Sequence, residues 1–519
     1  MDLSEQGRRL AMSSQGNGSP RLSVVMIVRD VEDCLANSLD SVSGIADELV
    51  VLDTGSHDGT VCIAQQKATR VAIAPWTDSF AAARNAALPY ATGDWILWLD
   101  AGETLSLETA TTLRQFLDSQ AEKNTAYYLL VKTPQQGTDI AAEQVAHIRL
   151  HARVAGFEFT GRVRESAEAA IENLGLKTEG LSFVIQRSGR EHLPEIRERK
   201  AKRNLHLASL ELKEKGPHAA LLNCLGEASQ WLGDHRASTN FYRQAFELSP
   251  RGSTDMLEAY YGLLTAMEGI EASRDSQLQL CMTALEIYPL DAQLLCAIGG
   301  YLQSRGQVEL ASRAYQLAAE HGQLNLQISH LDGLQEIAVN CYAMTLQLLG
   351  REAEAIELLA RELAEAPNAS RLRRQLLDLH VNKGDREEAL AVVNAMPRNI
   401  ANREALRGAV RGACLAATGN WVSAKPHLET AYKAGCRDTI CLRWLTALHL
   451  AMGNHELAAT TLQEWARLEP LNAEMRQYRA TLEPTLPSET KRTVRVDDTA
   501  SSHAPSSTTV SAVSASRKR

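Results

Sequence analysis

The stretch from Leu22 to Glu103 constrains the fold of this chain more than any other feature. It holds three successive units in which an apolar run precedes a helical pattern, and it ends with the apolar run 95–99 and the acidic tetrad Asp-Ala-Gly-Glu at 100–103. Strands that alternate with helices predict an α/β domain with a mainly parallel sheet. An acidic cluster at the carboxyl edge of a buried strand is where such folds bind ligands. The sequence therefore predicts a catalytic nucleotide site after the fourth strand.

The elements of this domain are read from apolar runs and capping residues. Beyond Glu103 the pattern is mixed, with a helix near 107–121, a strand at 126–132 and shorter strand-like pieces as far as 183–186. Before Glu103, strands are predicted at 22–28, 48–52, 71–74 and 94–99, and helices after 30–33, at 61–67 and at 79–88.

A chain of 519 residues is longer than one hydrophobic core normally supports, so two or more domains are expected. The composition turns into continuous helix around Pro194. We predict a disordered leader over residues 1–20, an α/β domain over 21–194, a helical domain over 195–482 and a disordered tail over 483–519.

The helical half repeats a Gly that is followed five residues later by an Ala. Three successive intervals between these Gly residues, from Gly350 to Gly453, are 34, 35 and 34 residues long. This period matches the tetratricopeptide repeat, a pair of helices that needs a small residue at its turn and another where the helices pack. Segment 222–250 is an earlier copy, and Tyr260, Tyr261 and Pro289 outline a weaker one. The Gly/Ala pairs are 306/311, 350/355, 384/389, 419/424 and 453/458.

Composition and charge argue against several classes of protein. The formal net charge of −9 offers no basic field for nucleic acid, and the longest apolar runs are too short to span a membrane. Nine scattered cysteines are read as buried free thiols, which favours the reducing cytoplasm. The close pair Cys436 and Cys441 has no second ligand pair beside it, so zinc is not expected.

Four segments together resemble family 2 glycosyltransferases of the A-type fold, particularly the bacterial branch fused to tetratricopeptide repeats. They read VVMIVRDVEDCL, DELVVLDTGSHDGT, SFAAARNAAL and ATGDWILWLDAGE, and they fall within residues 21–105. The resemblance implies an A-type domain that binds a nucleoside diphosphate sugar. A dinucleotide oxidoreductase is disfavoured because no G-x-G-x-x-G follows the first strand.

The resemblance also implies roles for individual donor-binding residues. Glu32 and Asp53 match the acids that meet the nucleoside, and Arg84 matches the Arg of the family's A-R-N motif, with Asn85 beside it. A guanidinium is a good bidentate partner for phosphate. Taken singly, Asp53 could cap a helix, Glu32 could complement a helix dipole and Arg84 could be solvated. Their joint occurrence in the family's order favours the donor site.

The metal motif departs from the family's usual Asp-x-Asp. Asp100 is kept as a donor-binding residue and metal ligand, whereas Gly102 replaces the second acid. Three interpretations follow: Glu103 is the substitute ligand, a divalent cation (Mg²⁺ or Mn²⁺) is held by fewer protein ligands and more water, or the domain no longer catalyses. We favour an active enzyme, because Arg84 can share in screening the diphosphate.

Two histidines of the family are replaced by arginines. In IRLHARVAGFEFTGRVRES the family's His-Glu pair is Arg164-Glu165, and a later His-x-Gly begins with Arg187. We hypothesise that these arginines do part of a metal ion's electrostatic work. Inverting transfer needs a carboxylate base, for which we predict Glu165, with Asp94 and Glu158 as alternatives.

The expected protein is thus a cytoplasmic, inverting glycosyltransferase that moves a sugar from a nucleoside diphosphate sugar to a protein, peptide or glycan acceptor. Repeat superhelices present concave surfaces, so the repeats are expected to recruit the acceptor or other protein partners. The alternative is a tetratricopeptide-repeat binding scaffold with a degenerate, non-catalytic glycosyltransferase domain. Donor binding without turnover would be its signature.

Overall fold

The computed structural model describes residues 19–134, 142–396, 402–469 and 472–482, which form two compact units. Unit 1 contains the described residues up to Ile270 together with Asn325–Asp332. Unit 2 contains Glu271–Leu324 and the described residues from Gly333 onward. Most of the predicted leader and all of the predicted tail lie outside the described residues, so the predicted domain limits stay predictions.

The strands of unit 1 belong to one mixed sheet. They are β1 Leu22–Val28, β2 Glu48–Asp53, β3 Arg70–Ile73, β4 Trp95–Trp98, β5 Glu103–Thr104, β6 Thr125–Thr133, β7 Glu143–Ala152, β8 Lys177–Arg187 and β9 His330–Leu331. Its helices are α1 Leu35–Val42, α2 Thr60–Lys67, α3 Phe80–Ala87, α4 Leu107–Ser119, α5 Glu168–Asn173, α6 Pro194–Lys215, α7 Ala219–Trp231, α8 His235–Leu248 and α9 Thr254–Gly269.

The strand order is β3-β2-β1-β4-β7-β6-β8-β5, with β9 beside β7. Strands β1 to β4 are mutually parallel, as the alternation of strands and helices predicts. The sheet then becomes mixed, because β7 runs antiparallel to β4, β6 and β9. Strands β7 and β8 are ten and eleven residues long, longer than the short pieces predicted there.

Helices cover both faces of the sheet. On one face, alternate β1 residues such as Val24 and Met26 pack in the same core as Leu39 of α1 and Leu113 of α4. On the other face, Val25 belongs to a core shared with α3 and α5. Each fully buried aliphatic side chain contributes about 1.5–3 kcal/mol to stability. This three-layer arrangement fixes the carboxyl ends of the parallel strands.

The helices of unit 2 follow the predicted repeat. The turn glycines Gly306, Gly350, Gly384, Gly419 and Gly453 all have positive φ, between +74° and +82°, which glycine adopts at little cost. The Ala five residues after each of them is fully buried. The helices are α10 Arg274–Leu285, α11 Ala292–Ser304, α12 Val308–His321, α13 Leu334–Leu348, α14 Glu352–Glu365, α15 Ser370–Lys383, α16 Arg386–Asn394, α17 Arg403–Ala417, α18 Trp421–Lys433, α19 Thr439–Ala451, α20 His455–Leu468 and α21 Ala473–Leu482.

Two further observations bear on the predictions from composition. Among the described residues, no helix combines the length and the apolar character needed to cross a bilayer. All nine cysteines are free thiols; seven are buried, Cys34 is half-buried and Cys62 is exposed.

Candidate active site

The residues selected for donor binding lie where three parallel strands end. Val28 at the end of β1 pairs with Asp53 at the end of β2, and β4 ends at Trp98, two residues before Asp100. Glu32 follows β1 in the loop before α1. Because β1, β2 and β4 are parallel, these residues share the carboxyl edge of the sheet, which is the ligand-binding edge of α/β folds.

The carboxylates of Asp53 and Glu32 organise the turn after β2. Asp53 accepts hydrogen bonds from the backbone N–H groups of Gly55 and Ser56, both at 2.9 Å, and from the Ser56 hydroxyl. Glu32 accepts one from the N–H of Gly59 at 2.6 Å, and a Cβ at Gly59 would come within 2.7 Å of the same carboxylate oxygen. Both residues shape the proposed nucleoside side of the site, and their contact with the donor stays a prediction.

Three arginines and two carboxylates form one ion-pair cluster beyond β4, here called the arginine cluster. Asp100 accepts from Arg84 Nη2 at 3.1 Å and from Arg149 Nη2 at 2.9 Å. Glu103 Oε1 accepts from Arg149 Nη2 at 2.8 Å and from Arg187 Nη2 at 2.6 Å. The backbone N–H of Asp100 donates to Glu103 Oε2 at 2.9 Å. Each carboxylate therefore bridges two guanidinium groups.

In this cluster burial and neighbouring charges shift the pKa values of Asp100 and Arg84 in opposite directions, and the effect of the charges is the larger one. Glu103 and Arg149 are almost fully buried, whereas the Asp100 side chain is 35% exposed. Burial acts to raise the pKa of Asp100, but the charges of Arg149 and Arg84 outweigh it and hold that pKa well below its ordinary value. Burial likewise acts to lower the pKa of Arg84, but Glu165 and Asp100 raise it above its ordinary value. These charges are therefore permanent at neutral pH.

Arg84 joins Asp100 to the predicted base. Its Nε donates to Glu165 Oε1 at 2.6 Å, and its guanidinium lies over the ring of Trp98, 4.9 Å from the ring centroid. Arg84 Nη1 is buried and has no hydrogen-bond partner among the residues that the structure describes. A buried donor without a partner costs about 1–3 kcal/mol, so this atom is suited to a ligand oxygen.

The other candidates contact different parts of the fold. The side chain of Asn85 donates to the carbonyl of Phe159 at 2.9 Å and accepts from its N–H at 2.8 Å, which ties α3 to the loop before α5. Asp94 precedes β4, at the opposite edge of the sheet from Asp100, and it accepts from the N–H of Arg21 at 2.9 Å. Glu158 is exposed.

The two arginines that replace family histidines lie in different surroundings. Arg187 belongs to the arginine cluster. Arg164 instead pairs with Glu227 of α7 at 2.7 Å and with Glu258 of α9 at 2.6 Å. The surroundings of Arg187 match the hypothesis that arginines supply charge at the diphosphate, and those of Arg164 do not.

The residues present do not fit a metal cage. Both predicted ligands, Asp100 and Glu103, already bind arginines, and a cation between them would meet the like charges of three guanidinium groups. Within the described ranges, no group of three or more His, Cys, Asp or Glu side chains is placed to hold a metal ion. The divalent cation, and Asp100 and Glu103 as its ligands, stay predictions.

Arg149 is the cluster residue that sequence reasoning missed. It stands on β7 where the register with β6 shifts: Ile148 pairs with Tyr128 and Leu150 with Tyr127, so Arg149 has no opposite residue on β6. Trp98 Nε1 and His151 Nε2 are 3.1 Å apart in the core, while the exposed His147 and the buried Arg149 follow toward the cluster. The polar residues His147, Arg149 and His151 in the sequence of this strand were the available signal, whereas the register shift at Arg149 is set by pairing with β6.

The comparisons with known proteins agree with this architecture. Residues 23–127 match the family model described as Glycosyl transferase family 2. The N-terminal α/β region thus carries a family 2 glycosyltransferase domain over residues 23–127, and a region of paired helices with the predicted Gly/Ala period follows it.

One curated relative is named for its repeats and another for glycosyl transfer. A TPR repeat-containing protein of Synechococcus elongatus is 50% identical over 103 residues, 20% of this chain and 26% of that protein. An uncharacterized glycosyltransferase of Rickettsia felis is 35% identical over 88 residues, 17% of this chain and 31% of that protein. The chain therefore spans about a quarter to a third of these curated relatives. A tetratricopeptide repeat protein of Parabacteroides merdae, 14% identical with a TM-score of 0.37, covers 50% of this chain and 96% of its own.

Proposed function

We propose that this chain is an inverting glycosyltransferase that uses a nucleoside diphosphate sugar as donor. The observation that carries the proposal is the arginine cluster at the carboxyl edge of β1, β2 and β4, where Arg84, which pairs with Glu165, has an Nη1 that no described residue accepts from. The three guanidinium groups are balanced by Asp100, Glu103 and Glu165, and they place oriented N–H donors where a leaving diphosphate would develop negative charge. The family 2 match over residues 23–127 supports the same reaction class.

In the proposed reaction the acceptor attacks the anomeric carbon from the face opposite the diphosphate. The proton of the acceptor group passes to the Glu165 carboxylate while the new bond to the sugar forms. The bond between the sugar and the diphosphate breaks, and the diphosphate leaves with its electron pair. Arg84 contacts both Glu165 and Asp100, so it links the base to the leaving-group side of the site.

We further propose a cytoplasmic location and an acceptor that is a protein, peptide or glycan recruited by the helical repeats. Free thiols support the reducing compartment, and repeat surfaces suit extended partners.

The first test is donor hydrolysis by the full chain with a panel of nucleoside diphosphate sugars, in Mg²⁺, Mn²⁺ or a chelator. One donor should be hydrolysed slowly, and Asp100→Asn should reduce this rate by about 100-fold because the carboxylate that holds Arg84 and Arg149 in position is lost. Asp40→Asn, which removes an exposed carboxylate of α1 that pairs with Lys67, should leave the rate unchanged. Donor binding without diphosphate release under every condition would instead identify a binding scaffold.

The base is tested with a matched pair of variants. Glu165→Gln should lower turnover by about 10²–10⁴-fold while donor affinity is largely kept, because proton removal is lost but the Gln oxygen can still accept from Arg84 Nε. Glu158→Gln, which changes an exposed carboxylate of the preceding segment, should retain turnover. Normal turnover in Glu165→Gln would show that the base assignment is wrong, and loss of turnover in Glu158→Gln would transfer the role to that residue.

A further inference from the structure

Residues 160–166, here called the Glu165 loop, form a closed turn. The backbone N–H of Thr160 donates to the Ser166 carbonyl at 2.9 Å, and the Ser166 N–H donates back at 3.0 Å. Within the loop, Arg164 has a φ of +50°, which a residue with a side chain rarely adopts. Such a conformation persists when surrounding contacts hold it.

One side of the Glu165 loop is bound to the helix that carries Arg84. The first N–H groups of α3 have no partner within the helix. The Phe80 N–H donates to the Arg162 carbonyl at 2.9 Å and the Ala81 N–H to the Gly161 carbonyl at 3.4 Å. The loop therefore caps α3 and fixes its own backbone relative to Arg84.

The other side of the loop is bound to the first helix of the helical region. The Arg162 N–H donates to Glu211 of α6 at 2.6 Å, and its guanidinium pairs with Glu214. Val163 is buried in the same apolar cluster as Leu207 of α6. These contacts all lie within unit 1.

Arg164 extends this attachment to two more helices. Its Nη2 donates to Glu227 of α7 at 2.7 Å, and its Nη1 donates to Glu258 of α9 at 2.6 Å. The side chain of Asn223, also on α7, donates to the second oxygen of Glu258 at 3.4 Å. Burial acts to lower the pKa of Arg164, but the charges of Glu258 and Glu227 hold it well above its ordinary value. Two acids from two helices thus clamp one guanidinium.

We propose that Glu227 and Glu258 are positioning residues for sugar transfer, which act through Arg164 on the adjacent Glu165. The inference rests on the proposed role of Glu165 as base. Arg164 and Glu165 are consecutive, and their side chains bind opposite partners: the acids of α7 and α9 on one side, Arg84 on the other. Release of Arg164 would leave the loop held at residues 160–163 and at Ser166, so the peptide between Arg164 and Glu165 would gain freedom and Glu165 would be less well placed against Arg84. The first repeat helices are therefore part of the catalytic unit.

The test compares the full-length wild type with the double variant Glu227→Gln/Glu258→Gln. We expect kcat to fall by about 10- to 100-fold, because small misplacements of a catalytic group cost this much. KM for the donor should stay near the wild-type value, and the variant should remain folded at the assay temperature although its melting temperature falls. Amide hydrogen exchange should accelerate in residues 160–166 and remain unchanged in β1 and β4. A control is Glu354→Gln, which removes an exposed carboxylate of α14 that pairs with the preceding Arg351.

A second variant keeps the test decisive if the double variant does not fold. Arg164→Lys retains the charge but replaces the forked guanidinium by a single ammonium, so it cannot hold both acids with the same geometry. It should show a smaller loss of kcat and the same local increase in exchange.

Unchanged exchange in residues 160–166 would overturn the inference, and so would faster exchange with unchanged kcat. A rise in KM at constant kcat would also overturn it, since that pattern indicates lost binding energy. Each of these outcomes concerns the variants alone, so turnover by the wild type, and with it the proposed function, would stand. A wild-type chain that turns over no donor would instead overturn the proposed function itself.

Discussion

At the scale of single residues, Glu103 shows how a buried carboxylate can be stable. Removing an ion from water costs several kcal/mol, and only close partners repay it. Glu103 has such partners in Arg149, Arg187 and the N–H of Asp100. Sequence resemblance selected Arg84, Asp100 and Glu165, which the structure joins by hydrogen bonds. It could not show that Glu103 binds both Arg187 and Arg149, because Arg149 lies on β7, which is far from Glu103 along the chain.

Arg149 should be essential for stability. Arg149→Met leaves Glu103 without its most buried partner and should destabilise the chain by about 3–5 kcal/mol, measured by denaturant unfolding. The double variant Arg149→Met/Glu103→Gln should be less destabilised, because the unpaired charge is removed as well.

The control for this prediction is Arg351→Met, which removes an arginine that is 40% exposed, precedes α14 and pairs with Glu354 in its first turn. Its effect should stay below about 1 kcal/mol. The single variant Glu103→Gln completes the comparison. If Arg149→Met/Glu103→Gln is destabilised by the sum of the effects of Arg149→Met and Glu103→Gln, Arg149 does not act through Glu103.

At the scale of elements, local patterns predicted the parallel strands and the repeat helices well. Apolar runs such as Leu22–Val28 and the Gly/Ala period are properties of neighbouring residues. Strands β7 and β8 were predicted as shorter pieces, because β7 alternates polar with apolar residues and β8 is largely exposed. Their length depends on pairing with β6, and such tertiary contacts override local preference.

Helix α17 contains two glycines with opposite expected responses. A Cβ at Gly408 would meet only ordinary contacts, the nearest at 3.7 Å, so Gly408→Ala should stabilise the chain by up to about 1 kcal/mol through helix propensity. A Cβ at Gly412 would lie 2.7 Å from Leu428 Cγ and 3.1 Å from the Ala424 carbonyl. Gly412→Ala should therefore destabilise by about 1–3 kcal/mol.

Thermal unfolding of the two variants, side by side, measures the difference. Each variant is the other's control, since the substitution and the helix are the same. Equal effects at both positions would mean that α17 and α18 do not pack as described.

At the scale of the whole molecule, composition and compactness divide the chain at different places. Composition changes at Pro194, where α6 begins, whereas the compact units divide after Ile270. The difference arises because α6, α7 and α9 bind the Glu165 loop. Composition shows where the long strands end and continuous helix begins. It does not show which helices pack against the sheet domain.

Limited proteolysis should distinguish these two divisions. We expect early cleavage within 270–273, between α9 and α10, and resistance within 188–193. The second segment is held by the hydrogen bond from the Ser188 N–H to the Gly102 carbonyl at 3.0 Å and by the Arg190–Asp33 pair at 2.6 Å. Brief digestion with a non-specific protease and mass spectrometry of the fragments measures this. An early fragment that ends within 188–193 would favour the division by composition.

Strand β9 has a consequence for the order in which the protein is made. It pairs with residues 143–144 of β7, yet the chain reaches it only after the whole of 271–324 has been added. During translation the backbone groups of residues 143–144 that later pair with β9 are therefore unpaired, like those of any exposed strand edge. The sheet can be completed only after residue 331 has left the ribosome, when part of unit 2 has already emerged.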